Sequence, residues 1–366
     1  MTKPELKSAQ KTKAGSLRAG SLPALSGLDL KEIQEKLKPL NLPAFRARQI
    51  HSWIYHKYVS GFDEMTDLPA SLRDQLKESF QIPLLNLAHL QVSSDGTRKY
   101  LFSLADGQLV ESVLMSFHDR KNLSACLSSQ VGCAVGCTFC ATGYLGFKRN
   151  LTKQEIVDQV MSIQRESGLR VGNIVYMGQG EPLLNVDEVV ASIRAVIGSV
   201  GIGARHITVS TSGIIPGIER LAKEHLPLTL ALSLHAPDPQ TREKIVPITR
   251  KYPLEELIPA LKDYAETSGR RVTIEYVLLA GVTDSAQQAK GLADMVRDIH
   301  CNVNLIPFNP IYDENGKSLY KRPTRAAQEQ FKKIVERSGR TVTIRLERGT
   351  DIDAACGQLH NKFQEK

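Results

Sequence analysis

The sequence contains little cysteine and no long apolar run. Six cysteines in 366 residues are too few for the disulfide framework on which small secreted domains rely. No apolar stretch approaches the roughly 20 residues that a membrane-spanning helix requires, and the first residues lack the apolar segment of a secretory signal. The sequence therefore predicts no membrane segment and a protein of the reducing cytoplasm.

The composition is typical of a soluble globular protein. Hydrophobic residues make up 42% of the chain and charged residues 23%, which is enough to bury a core. The formal net charge is +8. A basic excess of this size indicates a polyanionic partner, although an enzyme that is merely basic would show the same charge.

The first 85 residues predict a tail followed by a helical module. Residues 1–25 are rich in Lys, Ser, Ala and Gly, as in a flexible basic tail, with an organelle transit peptide as the alternative. Residues 26–85 contain three helical segments, and the second places Arg46, Arg48 and Lys57 beside its apolar positions. We expect a small helical domain with a basic face.

Residues 86–120 predict a short antiparallel sheet. Three runs of alternating apolar and polar residues are separated by Asp95-Gly96 and Asp106-Gly107. Asp-Gly pairs between such runs are a strong signal for tight hairpin turns.

Residues 121–366 predict an α/β domain with a parallel sheet. Seven short apolar runs alternate with amphipathic helical segments, and several runs are apolar on both faces, as strands buried beneath helices must be. The pattern fits a full or partial barrel, or an open doubly wound sheet. In all of these, ligands bind at the carboxyl ends of the strands.

Three cysteines follow the first of these runs with the spacing Cys-x3-Cys-x2-Cys. They are Cys133, Cys137 and Cys140. Structural zinc normally takes four ligands, so a zinc site here would need a fourth ligand from a distant part of the chain. Three thiolates on one loop suit a [4Fe–4S] cluster whose fourth iron stays open for a small molecule.

Polar residues also follow several later runs. Each could cap a helix or complete a loop, but groups at the ends of successive parallel strands converge on one mouth. These residues are Gly180 and Glu181, Ser210, Ser233 and His235, and Asn309.

Three further cysteines lie outside the cluster motif. We expect Cys301 to be a small buried apolar residue. Cys126 precedes the motif by seven positions, and Cys356 lies in a polar loop after the last strand. This position makes Cys356 a candidate for an exposed thiol near the mouth.

The cluster spacing resembles that of the radical S-adenosylmethionine (SAM) enzymes, and the other motifs point to one family among these enzymes. "CLSSQVGCAVGCTFCATG", "GQGEPLLN", "STSGIIPGI", "SLHAP", "LIPFNP" and "RGTDIDAACGQL" together resemble the RlmN/Cfr family of radical SAM RNA methyltransferases, from about residue 30 to the end. The resemblance implies a partial parallel (β/α)6 barrel behind a helical module. It also implies one [4Fe–4S] cluster on the three cysteines and two SAM molecules per turnover.

The resemblance implies roles for individual residues. Cys356 takes a methyl group from one SAM. A radical generated from a second SAM activates that methyl, which adds to an adenine carbon. Glu111 accepts the ring proton. Without the resemblance, an acid in an alternating strand would be predicted to face solvent. Cys126 then forms a transient disulfide with Cys356 and releases the RNA. The positions that match SAM contacts are Gly180, Glu181, Ser210, Ser233, Leu234, His235 and Asn309.

The resemblance also implies partners. The helical module would bind RNA through Arg46, Arg48 and Lys57, and Lys148 and Arg149 would hold RNA near the mouth. RlmN-type members methylate carbon 2 of an adenine in 23S rRNA and of the tRNA adenine next to the anticodon. Cfr-type members methylate carbon 8 of the same rRNA base. We expect the RlmN-type reaction, a monomer, and an electron donor such as flavodoxin; a non-catalytic zinc protein that binds RNA is the alternative from another class.

Overall fold

The computed structural model describes residues 22–116, 123–312 and 315–360. The parts of the predictions that concern residues 1–21, 117–122, 313–314 and 361–366 lie outside the described residues. The strands are β1 Asn86–Val92, β2 Arg98–Ser103, β3 Leu109–Met115, β4 Leu123–Cys126, β5 Gln130–Gly132, β6 Phe147–Asn150, β7 Val171–Tyr176, β8 Ile207–Thr211, β9 Thr229–Ser233, β10 Val272–Leu278, β11 Cys301–Pro307 and β12 Thr341–Ile344.

The helices alternate with the later strands, as the sequence predicts. They are α1 Leu30–Leu37, α2 Ala44–Lys57, α3 Ala70–Ser79, α4 Ala141–Tyr144, α5 Lys153–Ser167, α6 Val186–Ala195, α7 Ile215–Ala222, α8 Pro239–Ile245, α9 Leu254–Ser268, α10 Ala286–Val296 and α11 Arg325–Glu336. Helix α5 shows why the boundaries fall where they do. Thr152 and Glu155 form a capping box at its start, and Gly168 ends it in the left-handed conformation.

Ten strands form one sheet in the order β1-β2-β3-β4-β7-β8-β9-β10-β11-β12. Every neighbouring pair from β4 to β12 is parallel. All seven residues of β10 are buried, because the helices cover the outer face of a central barrel strand and its inner face lies inside the barrel. The predicted partial parallel barrel is confirmed, and β12 adds a seventh parallel strand to the six units expected.

The antiparallel strands β1, β2 and β3 are present, with hairpin turns at the two Asp-Gly pairs. Gly96 and Gly107 have φ of 82° and 80°, which favours glycine. These strands extend the barrel sheet, because β3 pairs with β4 and places Val113 opposite Cys126. Glu111 of β3 lies beside the C-terminal loop, where its Oε2 accepts from the N–H of His360.

The run "SACLSSQV", predicted as one strand, is two strands. Residues of β4 belong to the large sheet, whereas β5 pairs with β6 in a separate two-stranded sheet. The chain leaves the large sheet at this break, forms β5, and then enters the cysteine loop.

The N-terminal helices α1 to α3 dock on α5. Lys153 of α5 lies 2.7 Å from Glu32, and Arg165 at its other end lies 3.1 Å from Glu64. The predicted end of the tail at residue 25 is wrong, since Leu25 is fully buried and Ala24 forms a bridge with Gln81. Across the described ranges, no helix is both long enough and apolar enough to cross a membrane.

Candidate active site

A cavity of about 1250 Å³, including solvent at its mouth, lies at the carboxyl ends of the parallel strands. The predicted residues that line it are Cys126, Cys133, Cys137, Cys140, Gly180, Glu181, Ser210, Ser233, His235, Asn309 and Cys356. Residues separated by as much as 230 positions in the chain thus meet in one space. Leu234, Glu111 and the five predicted basic residues do not line it.

The three motif cysteines surround one end of this cavity. Burial raises the pKa of Cys133 to about 12. Burial, together with the neighbouring thiols of Cys140 and Cys133, raises the pKa of Cys137 well above its ordinary value. Thiols that repel each other as thiolates need a shared cation to become charged together, and an iron–sulfur cluster supplies it.

Within the described ranges, no three His, Cys, Asp or Glu side chains are placed to hold one metal ion. In a four-iron cluster each thiolate binds a different iron, so its sulfurs stand farther apart than the ligands of a single ion. The donor set therefore fits a cluster with three cysteine ligands and does not resemble a closed zinc site.

Glu181 is held rigidly at the end of β7. Its Oε2 accepts hydrogen bonds from the backbone N–H and the hydroxyl of Ser212 at 2.7 and 2.8 Å. Its Oε1 accepts from the N–H of Leu183 at 3.0 Å. Burial raises the pKa of Glu181, and these bonds oppose the shift. The side chain of Thr211 also hydrogen-bonds to Glu181, so several donors hold this carboxyl group in the lining of the cavity.

Gly180 permits the close packing of this turn. Its φ is 98°, and an added Cβ would lie 2.5 Å from the Cβ of Gln130. Gln130 cannot move freely, because its Oε1 accepts from Glu181 N at 2.9 Å and its Nε2 donates to Asn150 at 2.8 Å.

Gly180→Ala is expected to destabilise the fold and to displace Glu181. Backbone strain and overpacking each cost about 1–3 kcal/mol, and urea unfolding with equilibrium dialysis of SAM measures both effects. Gly107→Ala is the matched control, because its φ is 80° but nothing lies within 4 Å of the added Cβ. Equal losses of stability in the two variants would contradict the steric argument.

His235 presents a neutral ring to the cavity. Burial, with a smaller effect from Arg242, lowers the pKa of His235 to about 3. Its Nδ1 accepts from the N–H of Val277 at 3.1 Å, so the ring proton resides on Nε2. Ser210 and Ser233 lie on adjacent strands beside it, with hydroxyl oxygens 3.4 Å apart. Leu234 is fully buried beneath this surface.

Cys356 is exposed on a C-terminal loop that is tied to the cysteine loop. Ala141 N donates to Gly357 O at 2.7 Å, and Thr142 Oγ1 donates to Leu359 O at 2.7 Å. Asn309 Nδ2 donates to the backbone carbonyl of Cys356 at 3.3 Å. The loop therefore holds an exposed thiol at the cluster end of the cavity.

Glu111 is buried. The alternating pattern of its strand, taken alone, predicts a side chain that faces solvent, and that prediction is wrong. Its Oε2 accepts from the N–H of His360 at 2.6 Å, and its Oε1 lies 3.5 Å from Nζ of Lys99. The carboxylate thus stands directly behind the loop that carries Cys356.

Sequence reasoning missed Met177, Glu275 and Arg345, which also line the cavity. Nη1 of Arg345 lies 4.0 Å from Oε2 of Glu275 and 3.9 Å from the sulfur of Met177. A signal for Glu275 was available, because it is an acid inside a run that is otherwise apolar on both faces. No such signal marks Arg345, which follows the last strand in a charged segment.

The predicted basic residues form two groups. Arg48 and Lys57 are exposed on α2 and line a groove with Phe45 and Trp53; Nζ of Lys57 lies 3.3 Å from the centre of the Trp53 ring. Arg46 lies on the same helix, with its guanidinium 4.8 Å from the ring of Phe45. These contacts give α2 a surface of cations and aromatic rings.

Lys148 and Arg149 lie on β6, close to the cysteine loop, but differ in their surroundings. Arg149 is paired with Asp106 at 2.7 Å and with Glu155 at 2.8 Å, so two carboxylates offset its charge. Lys148 is exposed. Lys148 is therefore the stronger candidate for a phosphate contact.

The sequence and fold match known proteins over most of the chain. Residues 127–292 match the Radical SAM superfamily, and residues 24–82 match the ribosomal RNA large subunit methyltransferase N-terminal domain. The chain is 47% identical over 347 residues to the probable dual-specificity RNA methyltransferase RlmN of Symbiobacterium thermophilum, covering 93% of this chain and 92% of that relative. It is 48% identical over 343 residues to the protein of the same name from Thermotoga neapolitana, covering 92% and 97%.

A solved structure agrees with these matches. The crystal structure of a radical SAM methyltransferase from Sphaerobacter thermophilus superimposes with a TM-score of 0.86 and 44% identity, covering 92% of this chain and 98% of that one. These findings contradict the alternative of a non-catalytic zinc protein, and they agree with [4Fe–4S] and SAM as the cofactors. The chain belongs to the RlmN family of radical SAM RNA methyltransferases.

Proposed function

We propose that this enzyme methylates carbon 2 of an adenine in 23S rRNA and of the tRNA adenine next to the anticodon. The observation that carries methyl transfer through a cysteine is that Cys126 and Cys356, which the cluster does not need, line the same cavity as the three cluster cysteines. The choice of carbon 2 over carbon 8 is supported by the RlmN name of the relatives. The relatives' name supports two RNA substrates, since it describes a dual-specificity enzyme.

When bound, the cluster and SAM would supply the chemistry that removes a hydrogen atom from an unactivated methyl group. Cys133, Cys137 and Cys140 hold that cluster. Glu181, fixed by Ser212, is oriented to accept from the amino group of SAM. Ser210, Ser233, His235 and Asn309 line the remainder of the space. The neutral His235 adds no charge there that would oppose the sulfonium of SAM.

Cys356 carries the methyl group as a thioether before it reaches the adenine. Adenine carbon 2 is not nucleophilic enough to attack SAM directly. A thiolate, in contrast, readily attacks the methyl carbon of a sulfonium, and S-adenosylhomocysteine leaves as the bond between its sulfur and the methyl group breaks. The exposed position of Cys356 suits a thiol that must face both SAM and RNA.

Glu111 accepts the proton that the adenine ring loses after the carbon–carbon bond forms. Its position behind residues 356–360, with Lys99 beside it, supports this role, because it keeps a carboxyl group next to the loop that carries the adduct. Cys126 then attacks the sulfur of Cys356 and frees the methylated RNA.

RNA binds across the mouth and the α2 surface. Adenine carbon 2 is unreachable in a stacked duplex, so the target lies in a loop from which the base is splayed out. Arg46, Arg48, Lys57 and Lys148 contact phosphates, while Phe45 offers a ring for base stacking. We propose that the enzyme acts as a cytoplasmic monomer, with a flavodoxin-type protein as electron donor.

Replacing Arg46, Arg48 and Lys57 together with glutamine is expected to weaken RNA binding without removing the cluster. Each lost phosphate contact lowers the slope of log affinity against log salt by about 0.7–0.9, and filter binding at several salt concentrations measures that slope. Arg149→Gln is the control, because its charge is already offset by Asp106 and Glu155. An unchanged slope in the triple variant would remove α2 from the RNA interface.

The test of the function is the identity of the product. Anaerobically reconstituted enzyme is incubated with SAM, a reductant and an rRNA fragment or tRNA, and the digested RNA is compared with methyladenosine standards by mass spectrometry. 2-Methyladenosine in both RNAs supports the proposal. 8-Methyladenosine would assign a Cfr-type reaction, and no product from a reducible cluster would overturn RNA methylation on these substrates.

A further inference from the structure

Arg345 is the one residue with a fixed positive charge among the described residues that line the cavity. It follows β12, and its backbone N–H donates to Leu305 O at 2.8 Å. The reaction proposed above requires Cys356 and Cys126 to react as thiolates. A thiolate in a partly buried cavity needs a nearby cation, and Arg345 is placed to provide it.

Arg345 is connected to Cys126 through Met177. Nη1 of Arg345 lies 3.9 Å from the sulfur of Met177, and the backbone N–H of Met177 donates to the sulfur of Cys126. On its other side, Arg345 lies 4.0 Å from Oε2 of Glu275, whose Oε1 accepts from Asn304 at 3.0 Å. Because Glu275 is itself held in place, it fixes one side of the guanidinium, and Met177 lies on the other side.

The electrostatics agree with this geometry. Burial raises the pKa of Cys126 to about 12, and the neighbouring Cys356 adds to this effect, whereas Arg345 lowers it. Burial opposes the charge of Arg345, but Cys356, Glu275 and Cys126 together raise the pKa of Arg345. Among the described residues, Cys356 and Arg345 are the charged or titratable groups that act on the pKa of Cys126, whereas Cys356, Glu275 and Cys126 act on that of Arg345.

We propose that Arg345 is a positioning residue that stabilises the thiolate of Cys126 for release of the RNA. The inference rests on the proposed function, in which Cys126 attacks the sulfur of Cys356. The S–S bond forms as the bond between that sulfur and the methylene carbon breaks, and the electron pair passes to the carbon. The carbon takes a proton from solvent and becomes the methyl group, so the two cysteines are oxidised and the carbon is reduced.

The first test follows the covalent protein–RNA adduct on denaturing gels, using cluster-loaded enzyme with SAM, reductant and an rRNA fragment. In Arg345→Gln the adduct is expected to persist at neutral pH. After a jump to about pH 9, release accelerates by about tenfold per pH unit, because the thiolate fraction of Cys126 rises with pH. Arg345→Lys restores release at neutral pH, and the adduct of Cys126→Ala persists at both pH values.

The second test needs no RNA. The rate at which iodoacetamide alkylates Cys126, mapped by mass spectrometry, is measured against pH in the cluster-loaded protein. Arg345→Gln is expected to move this profile upward by about one pH unit or more. Arg337→Gln is the control, since Arg337 is exposed at the end of α11 and does not line the cavity.

Three results would overturn the role of Arg345. They are release from Arg345→Gln at the wild-type rate at neutral pH, an adduct that resists pH 9 as in Cys126→Ala, and an unchanged alkylation profile. A shifted profile in a protein that forms neither adduct nor methylated RNA would uphold the effect of Arg345 on Cys126. That result would count against the proposed function instead.

Discussion

Replacing Cys356 with alanine is expected to abolish RNA methylation while the iron–sulfur cluster remains. The thiol is exposed at the cluster end of the cavity, and the hydrogen bonds that hold its loop use the backbone of residues 356–359 and not the cysteine side chain. Alanine therefore keeps the loop but leaves no sulfur to carry the methyl group. Mass spectrometry of the digested RNA and the iron content of the protein measure the two effects separately.

Cys301→Ala is the matched control for this experiment. Cys301 is buried on β11 and does not line the cavity, so its loss removes a thiol without touching the reaction. We expect Cys301→Ala to methylate RNA at the wild-type rate. Methyladenosine formed by Cys356→Ala with its cluster intact would show that the methyl group takes another route.

Replacing Cys137 with alanine is expected to remove both the cluster and the activity. Cys137 occupies the middle position of the motif, and its sulfur is close enough to Cys133 and Cys140 to raise its pKa. One iron would then lose its protein ligand, and a cluster held by two cysteines is not retained. The visible absorbance of the cluster, the iron content and methyladenosine formation should all fall to background.

This prediction differs from that for Cys356 in one readout. Both variants lose methylation, but only Cys137→Ala loses iron. Retention of a full cluster by Cys137→Ala would show that Cys137 is not a ligand, whereas loss of iron in Cys356→Ala would place Cys356 in the cluster. The two variants therefore distinguish a residue that holds the cluster from a residue that carries the methyl group.

The convergence of strand-end residues could be predicted because it follows from topology. Parallel strands in one sheet share a carboxyl edge, so Ser210, Ser233 and Asn309 had to approach each other once β8, β9 and β11 were recognised. The position of Cys356 was less certain from sequence, since a loop after the last strand can point in any direction. Its placement depends on hydrogen bonds to Ala141 and Asn309.

Glu111 and Arg149 show where local pattern misleads. Alternation in β3 suggests one solvent-facing side, but the pairing of β3 with β4 and the loop of His360 bury Glu111. Arg149 stands in a basic stretch of sequence, yet Asp106 and Glu155 come from other elements to offset its charge. The partners of Glu111 and the Asp106 partner of Arg149 are distant in sequence, and Glu155 lies on the helix that follows β6. The alternation and charge within a single strand therefore do not reveal them.

The sequence by itself determined the alternation of strands and helices, the cluster motif and the polar groups at the strand ends. Each of these depends on periodicity or spacing within a few residues. Tertiary structure alone decided which thiols share a cavity, which charges are offset and that Arg345 lies beside Met177 and Glu275. Such contacts join separate strands and loops, and only the closed packing of the whole chain brings them within a few ångströms.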